Sequence, residues 1–316
     1  MSLHRCAIQS AWVLVLLAAV VSQPALAQPP VLQGVTGVQI TYKEPANPTH
    51  RRIYERLKTR QVLEQYKEFM SPLQLKRALN VALEDCGVVN AFHNAGKITY
   101  CYELVAEVQR QVVETEVLPG FRREDAIVGG FVNTLLHETG HAIFYLLDIP
   151  IFGREEDAAD AIAAYVSLQF GPTSARRVLT GTAFVWRAAE LTRQRKRSNR
   201  QFEDYSDEHG TDAQRFYNAL CIALGSDLVE KTNTFADFEQ LLPTNRRAKC
   251  PREYLHVKNS FAHFVLPHVD QERMKKVRAT EWLRNEDGSE IAPPPAFGPR
   301  SSPRPGNPGP APASPK

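Results

Sequence analysis

The sequence predicts an α+β fold: a small twisted sheet with a hairpin packed on one long apolar helix, followed by a mostly helical C-terminal half. Three observations predict it. Alternating apolar residues mark strands only in the first third of the chain, at Val38, Ile40 and Tyr42, at Leu79, Val81 and Leu83, and on either side of Asn94-Ala95-Gly96. From Ala126 to Ile149 the sequence is apolar almost all round, the pattern of a helix buried in a core. Beyond it the periodicity is helical to about Glu286, after which apolar residues nearly vanish.

Taken in order, the chain opens with Arg5, an apolar run from Ala11 to Val21, and Ala25-Leu26-Ala27. That is the layout of a secretory signal peptide over residues 1–27, with an apolar core too short to span a bilayer and a mature start near Gln28. A strand at 38–42 leads to a helix from about Arg51 to Phe69 with Thr49 as its cap. After Leu79, Val81 and Leu83, Gly87 breaks the pattern. Segments Asn90–His93 and Lys97–Tyr102 then form a hairpin around Asn94-Ala95-Gly96. A helix from about Glu103 to Glu116 runs through Pro119-Gly120 into the long apolar helix, which Pro150 stops. Further helices are expected at 155–170, 174–193, 212–224, 234–241 and 269–284. The sheet part (about 36–120) and the helical part (about 121–285) would close on a cleft within one domain, 28–285, near the upper size for a single core. Residues 286–316 hold ten of the twenty-two prolines and read as a disordered spacer or a segment for an envelope partner.

Net charge is +3, and one less without Arg5, which argues against a nucleic-acid protein. The concentrated basic run Arg193, Arg195, Lys196, Arg197 and Arg200 lacks interleaved aromatics and reads as a solvated helix end or an exposed loop. No run after the leader approaches a membrane span. Cys6 would leave with the leader. Cys86, Cys101, Cys221 and Cys250 remain, an even number that in an exported protein points to two disulfides. Of three pairings the economical one is local, Cys86 with Cys101 and Cys221 with Cys250. A loop of roughly fifteen residues closed this way is worth about 3 kcal/mol in the chain-entropy model.

The chemistry concentrates at His137-Glu138-Thr139-Gly140-His141, an H-E-x-x-H inside the apolar helix. Residues i and i+4 share a helix face about 6 Å apart, so both imidazoles can reach one Zn²⁺ ion at roughly 2.0–2.1 Å. Glu138 sits beside the metal without needing to bind it and is placed to take a proton from a coordinated water. Histidines and a carboxylate buried in an apolar helix need compensation, which a cation supplies. The third ligand is expected downstream. Residues 149–154 can span up to roughly 20 Å and fold a second helix back onto the first, presenting Glu156, or alternatively Glu155, to the ion. Asp160, one turn on, would accept the free N–H of a ligating histidine.

H-E-T-G-H followed by Glu156-x-x-x-Asp160 resembles the gluzincin pattern of zinc peptidases such as thermolysin. The resemblance implies a zincin-like fold with His137, His141 and Glu156 as ligands, Glu138 as general base and Asp160 behind the ligands. The stretch Asn90-Ala91-Phe92 with Gly96, Ile98 and Tyr100 is similar to the edge strand that holds peptides in those enzymes, which implies Asn90 and Ala91 in substrate binding. A longer set of motifs covers most of the mature chain: C-G-x-x-N-A-F, C-Y-E-L, L-L-H-E-x-G-H, G-R-E-E-D-A-A-D, D-E-H and a late C-P. Together they resemble a bacterial secreted family labelled from its zinc motif as metallopeptidases and otherwise of unknown function.

His209 lies in Asp207-Glu208-His209-Gly210-Thr211-Asp212, just before a helix. It is a candidate donor to the oxyanion of a peptidase, oriented by Asp207 or Asp212, with Tyr205 and Arg215 as lesser candidates. The alternative is a helix capped by Thr211 or Asp212 beside a solvated acidic cluster. The chain is therefore expected to be an exported zinc metallopeptidase, periplasmic or extracellular, acting on a peptide or protein. Two other readings use the same residues: a non-catalytic envelope binding protein with a structural zinc, and a zinc hydrolase of a non-peptide amide or ester.

Overall fold

The computed structural model of the protein describes residues 37–115, 121–195 and 202–283. The expected leader, the Pro119-Gly120 link, the basic run beyond Arg195 and the Pro-rich tail lie outside these residues. Strands β1 (Val38–Tyr42), β2 (Leu79–Glu84), β3 (Ala91–Asn94) and β4 (Lys97–Cys101) form a mixed sheet in the order β1-β2-β4-β3. β1 and β4 flank β2 in parallel, and β3 pairs antiparallel with β4 at one edge. Parallel neighbours need a crossover. Between β1 and β2 it is made by α1 (Pro48–Thr59) and α2 (Val62–Met70).

These two helices replace the single one expected over 51–69. Gln61, at φ 51°, turns the chain through the left-handed region between them, although neither glycine nor proline marks the spot. Asn47 rather than Thr49 caps α1, its side chain accepting from the Thr49 N–H at 2.9 Å, and Pro48 fills the first helical position. The β3–β4 turn is the pair Ala95 and Gly96, both at positive φ, as a two-residue hairpin of matching twist demands. Asn94 therefore belongs to β3, and Asn90 precedes the strand, its carbonyl accepting from Cys101 N–H.

The remaining chain is helical: α3 (Tyr102–Glu114), α4 (Arg123–Leu147), α5 (Glu155–Ser167), α6 (Pro172–Arg195), α7 (Asp212–Glu230), α8 (Thr244–Arg247), α9 (Cys250–Phe264) and α10 (Gln271–Ala279). The fold is α+β with a helical C-terminal half, as expected. α9 was not foreseen, and the helix expected at 234–241 is a tight 3₁₀ turn, Ala236–Gln240. No described helix is long and apolar enough to cross a membrane.

α4 runs between two apolar clusters. One joins it to the sheet and α2 through Leu63, Leu79, Leu83, Ile98, Leu136 and Leu146. The other fills the space among α6, α7 and α9, with Leu179, Leu220, Leu224 and Phe238 at its centre. Each such side chain contributes roughly 1.5–3 kcal/mol by leaving water. Missing side chains set how closely α4 approaches its neighbours. At the α6 crossing Gly129 faces Gly181, where an added Cβ would fall 1.8 Å from the Asp125 carbonyl oxygen. At the α5 crossing Gly140, inside H-E-T-G-H, leaves room for Ala159, whose Cα would lie 3.1 Å from such a Cβ. Disulfides join Cys86 to Cys101 and Cys221 to Cys250, the local pairing.

Candidate metal centre

α4 positions His137 and His141 one turn apart, and the turn after Asp148 brings α5 back across it at Gly140 and Ala159. Ala159 lies on the same face of α5 as Glu156 and Asp160, so this contact turns both carboxylates toward the imidazoles. The two Nε2 atoms lie 3.2 Å apart. Glu156 Oε2 is 3.0 Å from the Nε2 of His137 and 3.4 Å from that of His141. A third imidazole reaches the same oxygen from the turn before α7, with His209 Nε2 at 2.8 Å.

Each of these rings is held from behind. His137 Nδ1 is 2.8 Å from Asp160, His141 Nδ1 2.7 Å from Glu155, and His209 Nδ1 3.0 Å from Asp207. A carboxylate at Nδ1 fixes the proton there and leaves the Nε2 lone pair directed forward. All three Nε2 atoms converge on Glu156. Its Oε2 is itself buried and has no aligned hydrogen bond. A cation among them relieves that. Ligands held tetrahedrally at 2.0–2.1 Å stand roughly 3.3 Å apart, which matches the separations among His137, His141 and Glu156. The donor set thus fits a metal ion.

The electrostatics follow from this crowding. The imidazole of His137, 3.0 Å away, pulls the Glu156 carboxyl down, against the effect of burial, to about 2. Burial raises the Asp160 carboxyl, but His137 and Arg215 outweigh it and bring it to about 2. His137 responds in kind: burial would discharge it, yet Asp160 and Glu156 hold its pKa at about 9. Glu138 is 6% exposed. Burial raises its pKa, and the neighbouring His137 and His141 charges pull the other way, so it faces the same cluster.

Glu156, not Glu155, reaches both Nε2 atoms, and Glu155 takes the outer position on His141. Asp207 rather than Asp212 contacts His209, and Thr211 caps α7 in a reciprocal capping box with Gln214. Arg215 has a different place from the one the sequence suggested: it grips Asp160 with two bonds at 2.7 and 2.6 Å, and its guanidinium lies 3.8 Å over the Trp186 ring. Neither partner could be read from a local pattern, because Arg215 and Asp160 are 55 residues apart. Tyr205 is exposed on the turn Phe202–Ser206. Asn90 and Ala91 lie at and just before β3, the sheet's edge strand, which packs on α4. On that strand His93 stands 5.6 Å from Tyr145, one turn beyond His141.

Comparison with known proteins adds one finding. No curated protein and no solved structure matches the chain. Residues 42–265 match the model of a family described as "Putative metallopeptidase", a stretch that runs from β1 to the end of α9 and includes His137, Glu138, His141, Glu156, Asp160 and His209. A metallopeptidase family implies a metal cofactor and a peptide or protein substrate, and with most of its length inside that match the chain belongs to this family.

Proposed function

We propose that the protein is an exported zinc peptidase of the gluzincin type, with His137, His141 and Glu156 as the ligands of one Zn²⁺ and a site like that of thermolysin. The observation that carries this reading is the convergence of Nδ1-tethered imidazoles on the buried, unbonded Glu156 Oε2. When bound, Zn²⁺ supplies a water of near-neutral pKa and polarises the carbonyl to be attacked. Glu138 would take a proton from the attacking water and deliver it to the departing amine. Its buried carboxyl, whose pKa burial raises, suits both steps. His209, backed by Asp207 and carrying a proton on both ring nitrogens for this step, donates Nε2–H to the oxyanion. Asp160, fixed by Arg215, keeps His137 in the tautomer that offers Nε2. The substrate backbone adds to the free edge of β3, beside Asn90 and Ala91.

Export rests on the leader at 1–27, and the two cystines fit an oxidising compartment. In the same reading residues 28–285 are the peptidase domain, and the tail at 286–316 serves as a spacer or contacts an envelope partner. A peptide-library digest with and without chelator tests the activity. Chelator-sensitive cleavage is expected, and Glu138→Gln should keep its ion while losing a factor of about 10² to 10⁴ in turnover. Chelator-resistant cleavage, or an unimpaired Glu138→Gln, counts against the mechanism.

A second reading has an observation behind it as well. His209 Nε2 stands as near to Glu156 as the other imidazoles do, so it could complete a closed four-ligand site of structural type in a non-catalytic binding protein. His209→Ala separates the two. An oxyanion donor's loss leaves zinc content unchanged and lowers kcat about 10²-fold or more, whereas a ligand's loss weakens zinc retention.

A further inference from the structure

The support behind His137 does not end at Asp160. Arg215 grips that carboxylate with both prongs of its fork, Nε on one oxygen at 2.7 Å and Nη2 on the other at 2.6 Å. Both side chains are nearly buried, so water competes little for either. Packing alone does not dictate this pose, because Arg215 borders a cavity of about 240 Å³ that Asp160, Asn133 and Trp186 also line. A long side chain beside open space has other rotamers to visit, yet a planar fork delivers two bonds to one carboxylate only when its plane is right. The face of Trp186 removes that freedom. Its ring lies 3.8 Å from the guanidinium carbon, and indole is the best aromatic partner for a cation, more so where water is scarce.

Trp186 belongs to α6, whereas Asp160 and Arg215 stand on α5 and α7. α6 is pressed against α4 where Gly129 meets Gly181, and Trp186 follows Gly181 by a little over one helical turn. The ring is thereby placed from the helix that also carries His137. We propose that Trp186 is a positioning residue for the metal centre: it keeps the Arg215 guanidinium in the plane that grips Asp160, and through Asp160 it keeps His137 Nε2 aimed forward. Trp186 itself touches neither ion nor substrate. Its role rests on the zinc reading above, since the consequence is felt at the metal.

Competition with a chromophoric chelator, on the full chain, tests this. Trp186→Leu keeps apolar bulk without a π face and should weaken zinc binding about three- to tenfold. Trp186→Phe should recover most of that loss, whereas a ring that merely fills space would be replaced as well by leucine. In an Arg215→Met background Trp186→Leu should cost less than about twofold, because groups acting in series are not additive. Trp186 is only partly buried, and Trp186→Met is the second truncation if Trp186→Leu fails to fold. Unchanged zinc affinity in the truncation, no recovery with Trp186→Phe, or losses that add in the double variant overturns the proposal. Exchange of the Arg215 Nε–H proton with water, followed by NMR on the full chain without added metal, separates this failure from that of the zinc site. It should quicken severalfold in the truncation, and an equal rate in both chains overturns the role of Trp186. A wild-type chain that binds no zinc overturns the zinc reading instead, and the exchange rate then decides for the ring.

Discussion

α4 crosses two helices at glycines, and the crossings differ in what they achieve. Against α6, Gly129 and Gly181 bring two backbones into contact and apolar side chains close around them. Against α5, Gly140 and Ala159 produce a similar approach, but the residues on either side are His137, His141, Glu156 and Asp160. Close packing is thus a common means, and only the second crossing converts it into chemistry. The first tolerates nothing new because its neighbours are main chain. At the second the nearest atom, Ala159 Cα, stands at 3.1 Å rather than 1.8 Å, so error there should fall on the metal before it falls on the fold.

That contrast can be broken by substitution. The largest stability effect is expected for Gly181→Ala, whose methyl must displace the Asp125 carbonyl; overpacking ordinarily costs 1–3 kcal/mol, and about 3 or more is expected against rigid backbone. Thermal or urea unfolding measures it, and a loss below about 1 kcal/mol would show that the α4–α6 contact yields. Next, Asp160→Asn should weaken zinc binding by about 10- to 100-fold, read by competition with a chromophoric chelator, alongside a loss of stability from leaving the buried Arg215 without its carboxylate. Unchanged affinity would sever Asp160 from the site. Smallest is Gly140→Ala. The Ala159 contact at 3.1 Å must open by a few tenths of an ångström, so stability should fall by about 1 kcal/mol and zinc affinity by several-fold. Equal losses of stability for Gly140→Ala and Gly181→Ala would erase the distinction between the crossings.

The sequence was most readable where one element's pattern sufficed. The H-E-x-x-H helix announced itself because its apolar residues and its two imidazoles share one period, and the strands did so by alternation at Val38–Tyr42 and Leu79–Glu84. Glu156 and Asp160 came within view through chain reach alone. What escaped was non-local or unpunctuated. Arg215 on Asp160 depends on the packing of α7 against α5, and Trp186 behind it on α6. The break at Gln61 lacks the residues that normally permit a positive φ. In α9 only Cys250 and Tyr254 are buried and charged residues intervene, so no apolar stripe betrayed it.

Two imidazoles on α4 are backed by carboxylates of unlike character. Asp160 is 13% exposed and pinned by Arg215, whereas Glu155 is 54% exposed and stands in water. Salt screens the second pair and hardly touches the first. An ion held between them would therefore exchange asymmetrically. His141 would swing away first at high ionic strength, opening a route for a competing chelator, while His137 and Glu156 kept a two-point grip from which the ion could be recaptured.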